Sequence, residues 1–188
     1  TYDRKFGKNH SLNLLAGITF ERYTSGISNF NAIQVPNEAL GVAGLDEGTA
    51  NSINVVKGEN RLNSYLGRVN YSYKSRYLLT ASIRADGSSK FFTGNKWGYF
   101  PSGAIKWRAL EESFLKNRLK SFSNLDLRVS YGVTGNNRVG DYAYASPIAL
   151  SGSSTATRYS YNNQVITGAI PTQMFNPTLR WETASVLD

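Results

Sequence analysis

The sequence predicts an all-β fold, an antiparallel up-and-down meander of about six strands. Three observations predict it. Apolar and polar residues alternate with a period of two in six separate stretches, as expected when successive side chains point to opposite faces. The apolar faces of those stretches, as named below, contain no Asp, Glu, Lys or Arg, and the opposite faces carry the charges. The connections alternate between two ends of the strands, and two of the three at one end are very long and rich in Gly, Ser, Asn and Thr.

The first strand, near 11–23, carries Leu12, Leu14, Ala16, Ile18 and Phe20 on its uncharged face. The second and third, near 64–73 and 77–86, make a hairpin about Lys74–Arg76. In them Tyr65, Gly67, Val69, Tyr71 and Tyr73 oppose Leu66, Arg68, Asn70 and Ser72. Likewise Tyr77, Leu79, Ala81, Ile83 and Ala85 oppose Leu78, Thr80, Ser82, Arg84 and Asp86. The fourth, near 99–109, sets Tyr99, Pro101, Gly103, Ile105, Trp107 and Ala109 against Ser102, Ala104, Lys106 and Arg108. The fifth, near 125–134, sets Leu125, Leu127, Val129, Tyr131 and Val133 against Asp126, Arg128, Ser130 and Thr134. The sixth, near 178–187, sets Leu179, Trp181, Thr183 and Leu187 against Arg180 and Glu182. Glu21 completes the charged set.

This segregation establishes a dry face and leaves open what dries it. A lipid-facing Arg costs about 2–4 kcal/mol at mid-bilayer, and a soluble core excludes charge for the same solvation reason. The connections discriminate. Lys74–Arg76 and Leu110–Asn124 lie at one end; Thr24–Asn63, Gly87–Gly98 and Gly135–Pro177 lie at the other. Short turns at one end and long loops at the other are typical of outer-membrane barrels, and structureless loops of such length are uncommon in compact soluble domains. Within Leu110–Asn124, Leu110, Phe114 and Leu115 allow a helical turn or two; a polar loop fits equally.

Aromatic residues are 13% of the chain, with twelve Tyr. Tyr71, Tyr73, Tyr77 and Trp107 fall near the short-turn end; Phe20, Tyr23, Tyr65, Tyr99 and Tyr131 fall near the long-loop end. Two such bands suit an interfacial girdle.

Several function classes drop out. The chain has 188 residues, no Cys and one His, His10, so a thiol nucleophile or a Cys/His zinc centre is excluded. The net charge is +8, yet no Lys/Arg-rich run marks a nucleic-acid site, and none is expected. No phosphate-binding or nucleophile-elbow motif occurs. Ser88 and Ser89 follow Asp86-Gly87 as turn residues. Glu111 and Glu112 are adjacent and do not face one another across a scissile bond. Asp46-Glu47 lacks calcium-loop spacing. Neither an enzyme nor a cofactor is expected. We expect the chain to be a piece of a longer protein.

RLNSYLGRVNYSYKSRYLLTASIRADGSSKF (Arg61–Phe91), NKWGYFPSGAIKWRALEESFLK (Asn95–Lys116), LDLRVSYGVTGNN (Leu125–Asn137) and NPTLRWETA (Asn176–Ala184) occur in this order. Together they resemble the C-terminal part of the barrel of SusC/RagA-like TonB-dependent outer-membrane transporters. The resemblance runs from about Arg61 to the end and is looser before it. It implies an open stretch of a 22-stranded transmembrane barrel in the outer membrane of a Gram-negative bacterium, without the plug domain. It implies import of large nutrients, oligosaccharides or peptides. The partners it implies are lipid, the plug and the remaining strands, TonB through the plug, and a surface lipoprotein lid. On this reading Arg68, Arg84, Lys106, Arg108, Asp126, Arg128, Arg180 and Glu182 face the lumen or plug. Loop aromatics Phe30, Tyr142, Tyr144, Tyr159 and Tyr161 either stack on solute or pack the loops. The alternative is a soluble or surface-attached glycan-binding or adhesin module whose dry face is covered by a second sheet.

Overall fold

The structure, a computed structural model, describes residues 1–116, 118, 121–149 and 158–188, with nothing said of the side chains at 38 and 149. Its main sheet has seven strands in strictly sequential antiparallel order. They are β1 (Tyr2–Phe6), β2 (His10–Ile33), β3 (Thr49–Tyr73), β4 (Tyr77–Ser88), β5 (Trp97–Arg108), β6 (Asp126–Asn136) and β11 (Glu182–Leu187). The meander is therefore as expected, with β1 added. The sheet is open, with β1 and β11 as its edges. Two further two-stranded pairs lie in the loops: β7 (Ile148–Ala149) with β10 (Ile170–Pro171), and β8 (Arg158–Tyr161) with β9 (Gln164–Thr167).

The register follows the hairpin turns. Tyr73 pairs with Tyr77, and Ser64 with Asp86. Lys74 and Ser75 both take positive φ, 50° and 55°, and Arg76 N–H donates to the Tyr73 carbonyl at 3.0 Å. Two left-handed residues give the turn the twist that a β-hairpin needs. β4 then carries the register to β5, with Tyr77 opposite Trp107 and Ala81 opposite Gly103. β5 pairs with β6 from Arg108–Asp126 to Ser102–Gly132.

Thr24–Asn63, expected as a structureless loop, is mostly strand. Residues Arg22–Arg61 form a compact unit of their own, made of parts of β2 and β3 and the 3-10 turn Glu38–Gly44. Asn37 caps that turn, accepting from Ala39 N–H at 3.1 Å. Glu59 holds Arg22 at 2.6 Å and Arg61 at 2.8 Å. Both faces of this stretch are exposed, so no dry face marked it in the sequence.

The expected strand at 178–187 is shorter. Asn176–Arg180 turn first, with Thr178 Oγ1 donating to Asn176 Oδ1 at 2.8 Å, and β11 begins at Glu182. The alternation read through Thr178–Trp181 therefore fails, and Trp181 is not on the uncharged face. Its ring packs 5.4 Å from Phe91 and 5.3 Å from Phe100, and its Nε1 donates to the Lys96 carbonyl at 2.9 Å. Phe91 and Phe100 are buried. Gly98 and Gly135 make room for Phe100: a Cβ at either would lie 2.5 Å and 2.0 Å from its ring atoms. Phe92 extends the cluster to Tyr144 and Phe175, at 5.7 Å and 5.2 Å. This loop-end aromatic cluster holds most of the buried apolar volume among the described residues. The connection after β5 forms a 3-10 turn, Ala109–Glu111, and one α turn, Ser113–Lys116. No helix among the described residues is long and apolar enough to cross a membrane, which bears only on helices.

Candidate functional site

The site is the sheet itself, whose two faces differ in chemistry. On one face lie Tyr65, Gly67 and Val69 of β3, Leu79, Ala81 and Ile83 of β4, Ile105 of β5 and Val129 of β6. Their shared face follows from direct pairing: Val69–Ala81–Gly103–Tyr131 and Tyr71–Leu79–Ile105–Val129. Nothing among the described residues covers them. Ile83 is 51% exposed, Ile105 61% and Val129 62%. On β4 the apolar residues are the exposed ones, and the alternating Thr80 and Ser82 are half-buried. A soluble sheet reverses this pattern, and each such side chain left in water forgoes ~1.5–3 kcal/mol.

Aromatic rings bound this face. At the short-turn end, Tyr73 stacks on Tyr77 with centroids 6.3 Å apart, His10 lies 4.9 Å from Tyr73, and His10 Nδ1 is 2.7 Å from the Tyr71 hydroxyl. Trp107 sits opposite Tyr77. At the long-loop end Tyr65 stacks on Trp97 at 5.8 Å, and Tyr99 pairs with Ala85 beside Tyr65. Trp97, which lies over Gly87, was not anticipated because the strand was expected to start at Tyr99. Tyr65 and Tyr73 are eight residues apart on β3, about 26 Å of strand at ~3.3 Å per residue. A tilt of ~40° makes that about 20 Å of height, near the ~25 Å apolar band of transmembrane barrels. Tyr131 belongs to neither band, because it pairs with Gly103 half way along β5. Arg4 shares the uncharged face: opposite Leu12, it donates to Tyr2 Oη at 3.4 Å and lies 4.8 Å from the Phe6 ring. It is three residues from the turn at Gly7, where a long side chain reaches water.

The other face is a hydrogen-bonded polar surface. Asn13 donates to Asp3 at 2.6 Å, Asn70 donates to Asn13 at 2.9 Å, and Thr80 donates to Asn70 at 2.9 Å. The row crosses four strands. Ser82 and Ser102 share a 2.7 Å hydrogen bond. Arg84 grips the fully buried Asp86, with Nη2 at 2.6 Å and Nε at 2.7 Å from Oδ2. Lys106 pairs with Asp126 at 2.5 Å, with Arg108 opposite Asp126 and Arg128 opposite Lys106. The sequence-expected charges thus form two groups, Arg68 with Arg84 and Lys106 with Arg108, Asp126 and Arg128. Arg180 lies in the turn before β11, apart from both, and Glu182 accepts from Asn136 at 2.9 Å.

At the short-turn end Glu112 ties the two connections together. It accepts from the Tyr77 hydroxyl at 2.7 Å and from Arg76 at 2.9 Å. The Tyr77 hydrogen bond, seconded by the Arg76 charge, lowers the pKa of this carboxyl. Among the loop aromatics, Tyr144 packs on Phe92, whereas Phe30, Tyr142, Tyr159 and Tyr161 are exposed. Among the described residues no group of His, Asp and Glu is placed to hold a metal.

No protein-family model matches the chain. Curated relatives do. A TonB-dependent receptor of Formosa agariphila is 36% identical over 182 residues, 96% of this chain and 17% of its own length. A second receptor from that organism is 34% identical over 189 residues, 100% of this chain and 18% of its own. The TonB-dependent receptor SusC of Bacteroides thetaiotaomicron is 42% identical over 124 residues, 65% of this chain and 12% of its own. The chain therefore spans less than a fifth of the length of these relatives. In fold it matches the RagAB peptide importer in its closed-closed state, with a TM-score of 0.78 and 22% identity over 99% of this chain and 20% of that one. With an uncovered apolar face, a polar opposite face and these identities, the chain belongs to the SusC/RagA-like TonB-dependent receptors, as a stretch of their β-barrel.

Proposed function

We propose that this chain is a wall segment of an outer-membrane importer for large nutrients, oligosaccharides or peptides. The observation that carries the reading is the inverted exposure of β4 and its neighbours: the apolar side chains face outward, uncovered, between two aromatic bands. Lipid is the solvent that makes this arrangement favourable. The polar face, with its serines, asparagines and arginines, then lines the lumen or meets a plug in the full-length protein. Import of peptides is what the RagAB importer is named for, and that name supports the cargo class here. TonB and a surface lipoprotein lid would act on the parent beyond this segment, which resides in the outer membrane of a Gram-negative bacterium.

The test uses the full-length parent. Ala81 faces outward between the two bands, and Ser82 faces inward beside Ser102. Ala81→Arg should cost about 2–4 kcal/mol and abolish the heat-modifiable folded band in outer membranes. Ser82→Arg should assemble normally. Equal tolerance of both, or a parent that stays monodisperse without detergent, would favour a soluble binding module instead.

A further inference from the structure

We propose that the polar face carries a binding site for a carboxylate-bearing unit of the imported solute, an acidic sugar or an acidic amino-acid residue. The proposal rests on the importer reading and names a ligand class for that wall. Arg68, Ser82 and Ser102 lie in one row across β3, β4 and β5, continued by Gly132 of β6. The next row holds Leu66, Arg84 and Phe100. Arg68, Ser82, Ser102, Leu66, Arg84 and Phe100 line a groove of about 410 Å³ together with Val133–Gly135 of β6, within the size range of small-ligand sites.

Three features of this groove point to an anion. First, Arg68 is exposed and makes no ion pair or side-chain hydrogen bond among the described residues, unlike Arg84, Lys106 and Arg76. Second, Arg84 is held rigid by Asp86 through Nε and Nη2, which leaves Nη1 free to donate into the groove. Third, the row-forming positions of β3 to β6 on this face carry Arg68, Arg84, Lys106, Arg108 and Arg128 against only Asp86 and Asp126. A guanidinium with unused paired N–H donors is suited to a carboxylate. The floor argues for a solute unit rather than a carboxylate of the protein's own chain. A permanent ion pair needs only the arginine, whereas the small side chains of Ser82 and Ser102 leave a hollow, and the Ser82–Ser102 pair keeps one hydroxyl hydrogen for a further acceptor. Phe100 closes the loop-side end, fixed between Gly98, Gly135 and Trp181.

The experiment measures binding of triglutamate and trigalacturonate to the detergent-solubilised parent, each against its uncharged counterpart, triglutamine or trigalactose. At least one acidic probe should bind at least tenfold more tightly than its counterpart, with the preference shrinking as salt rises. Arg68→Gln should erase the preference and leave both the neutral-probe affinity and the melting temperature unchanged; Arg68→Lys should restore part of it. Three results would overturn the proposal: no preference in the wild type, a preference that survives Arg68→Gln, or a melting-temperature drop in Arg68→Gln with selectivity intact, which would place Arg68 in an intrachain pair. Neutral probes that bind without acidic preference would sink this site alone. A parent absent from the outer membrane would sink the importer reading beneath it.

Discussion

On β4, Leu79 and Ile83 are 45% and 51% exposed, while Thr80 and Ser82, one residue away on the opposite face, are half-buried. The same backbone ladder supports both sets, so the difference comes from the solvent each face is built for. From Leu62 of β3 through β6 one face has no charge, and it is bounded by rings at two levels. The other satisfies its polar groups sideways, strand to strand, through Asp3, Asn13, Asn70 and Thr80. A sheet with a dry face needs something to dry it, and among the described residues no second sheet does so.

The comparison can be broken most severely at its midpoint, by the Ala81→Arg and Ser82→Arg pair described above. The next effect is expected at the loop-end cluster on the polar side. Gly135→Ala would place a Cβ 2.0 Å from the Phe100 ring, which Gly98 and Trp181 prevent from retreating. Overpacking of this kind costs ~1–3 kcal/mol, so the parent's unfolding midpoint in urea and detergent should fall. Phe100→Ala in the same background should recover part of the loss, and simple additivity would contradict the packing account. On the apolar side, Tyr65→Ala removes the stack on Trp97 and should cost about 0.5–1.5 kcal/mol beyond lost area, read in the same unfolding assay. The smallest effect is expected at Glu112. Its folded pKa is lowered, first by the Tyr77 hydroxyl and then by Arg76. A depressed carboxyl pKa contributes stability that is present above the unfolded value of ~4.3 and lost as pH falls through the folded one. Glu112→Gln should therefore lower the parent's stability slightly at pH 7, with the gap to wild type closing below about pH 4–5, so that the acid limb is flatter. An unaltered acid limb would show that the Tyr77–Glu112–Arg76 link contributes nothing.

The strands were legible because period-two alternation is strong wherever one face must stay free of charge. That logic located β4, β5 and β6 to within about two residues and placed Arg68, Arg84, Lys106, Arg108, Asp126 and Arg128 on one face. It failed where no face is dry. The outer parts of β2 and β3 are exposed on both sides, so Thr24–Asn63 carried no pattern to read. β1 was hidden because Asp3, Arg4 and Lys5 interrupt the alternation of Tyr2 and Phe6. Trp181 was assigned to the wrong side because the turn at Asn176–Arg180 resets the phase. The groove beside Arg68 needed the register: only pairing shows that Arg68, Ser82 and Ser102 form one row.

The proposed function stands on lipid covering the apolar face. Nitroxide labels placed singly from Leu78 to Ala85 in the bilayer-reconstituted parent test it most directly, through their relative accessibility to oxygen and to a water-soluble nickel chelate. The account predicts a period-two oscillation, with oxygen favoured at 79, 81 and 83 and the chelate favoured at 80, 82 and 84. An accessibility profile without that alternation, or with its phase reversed, would contradict it.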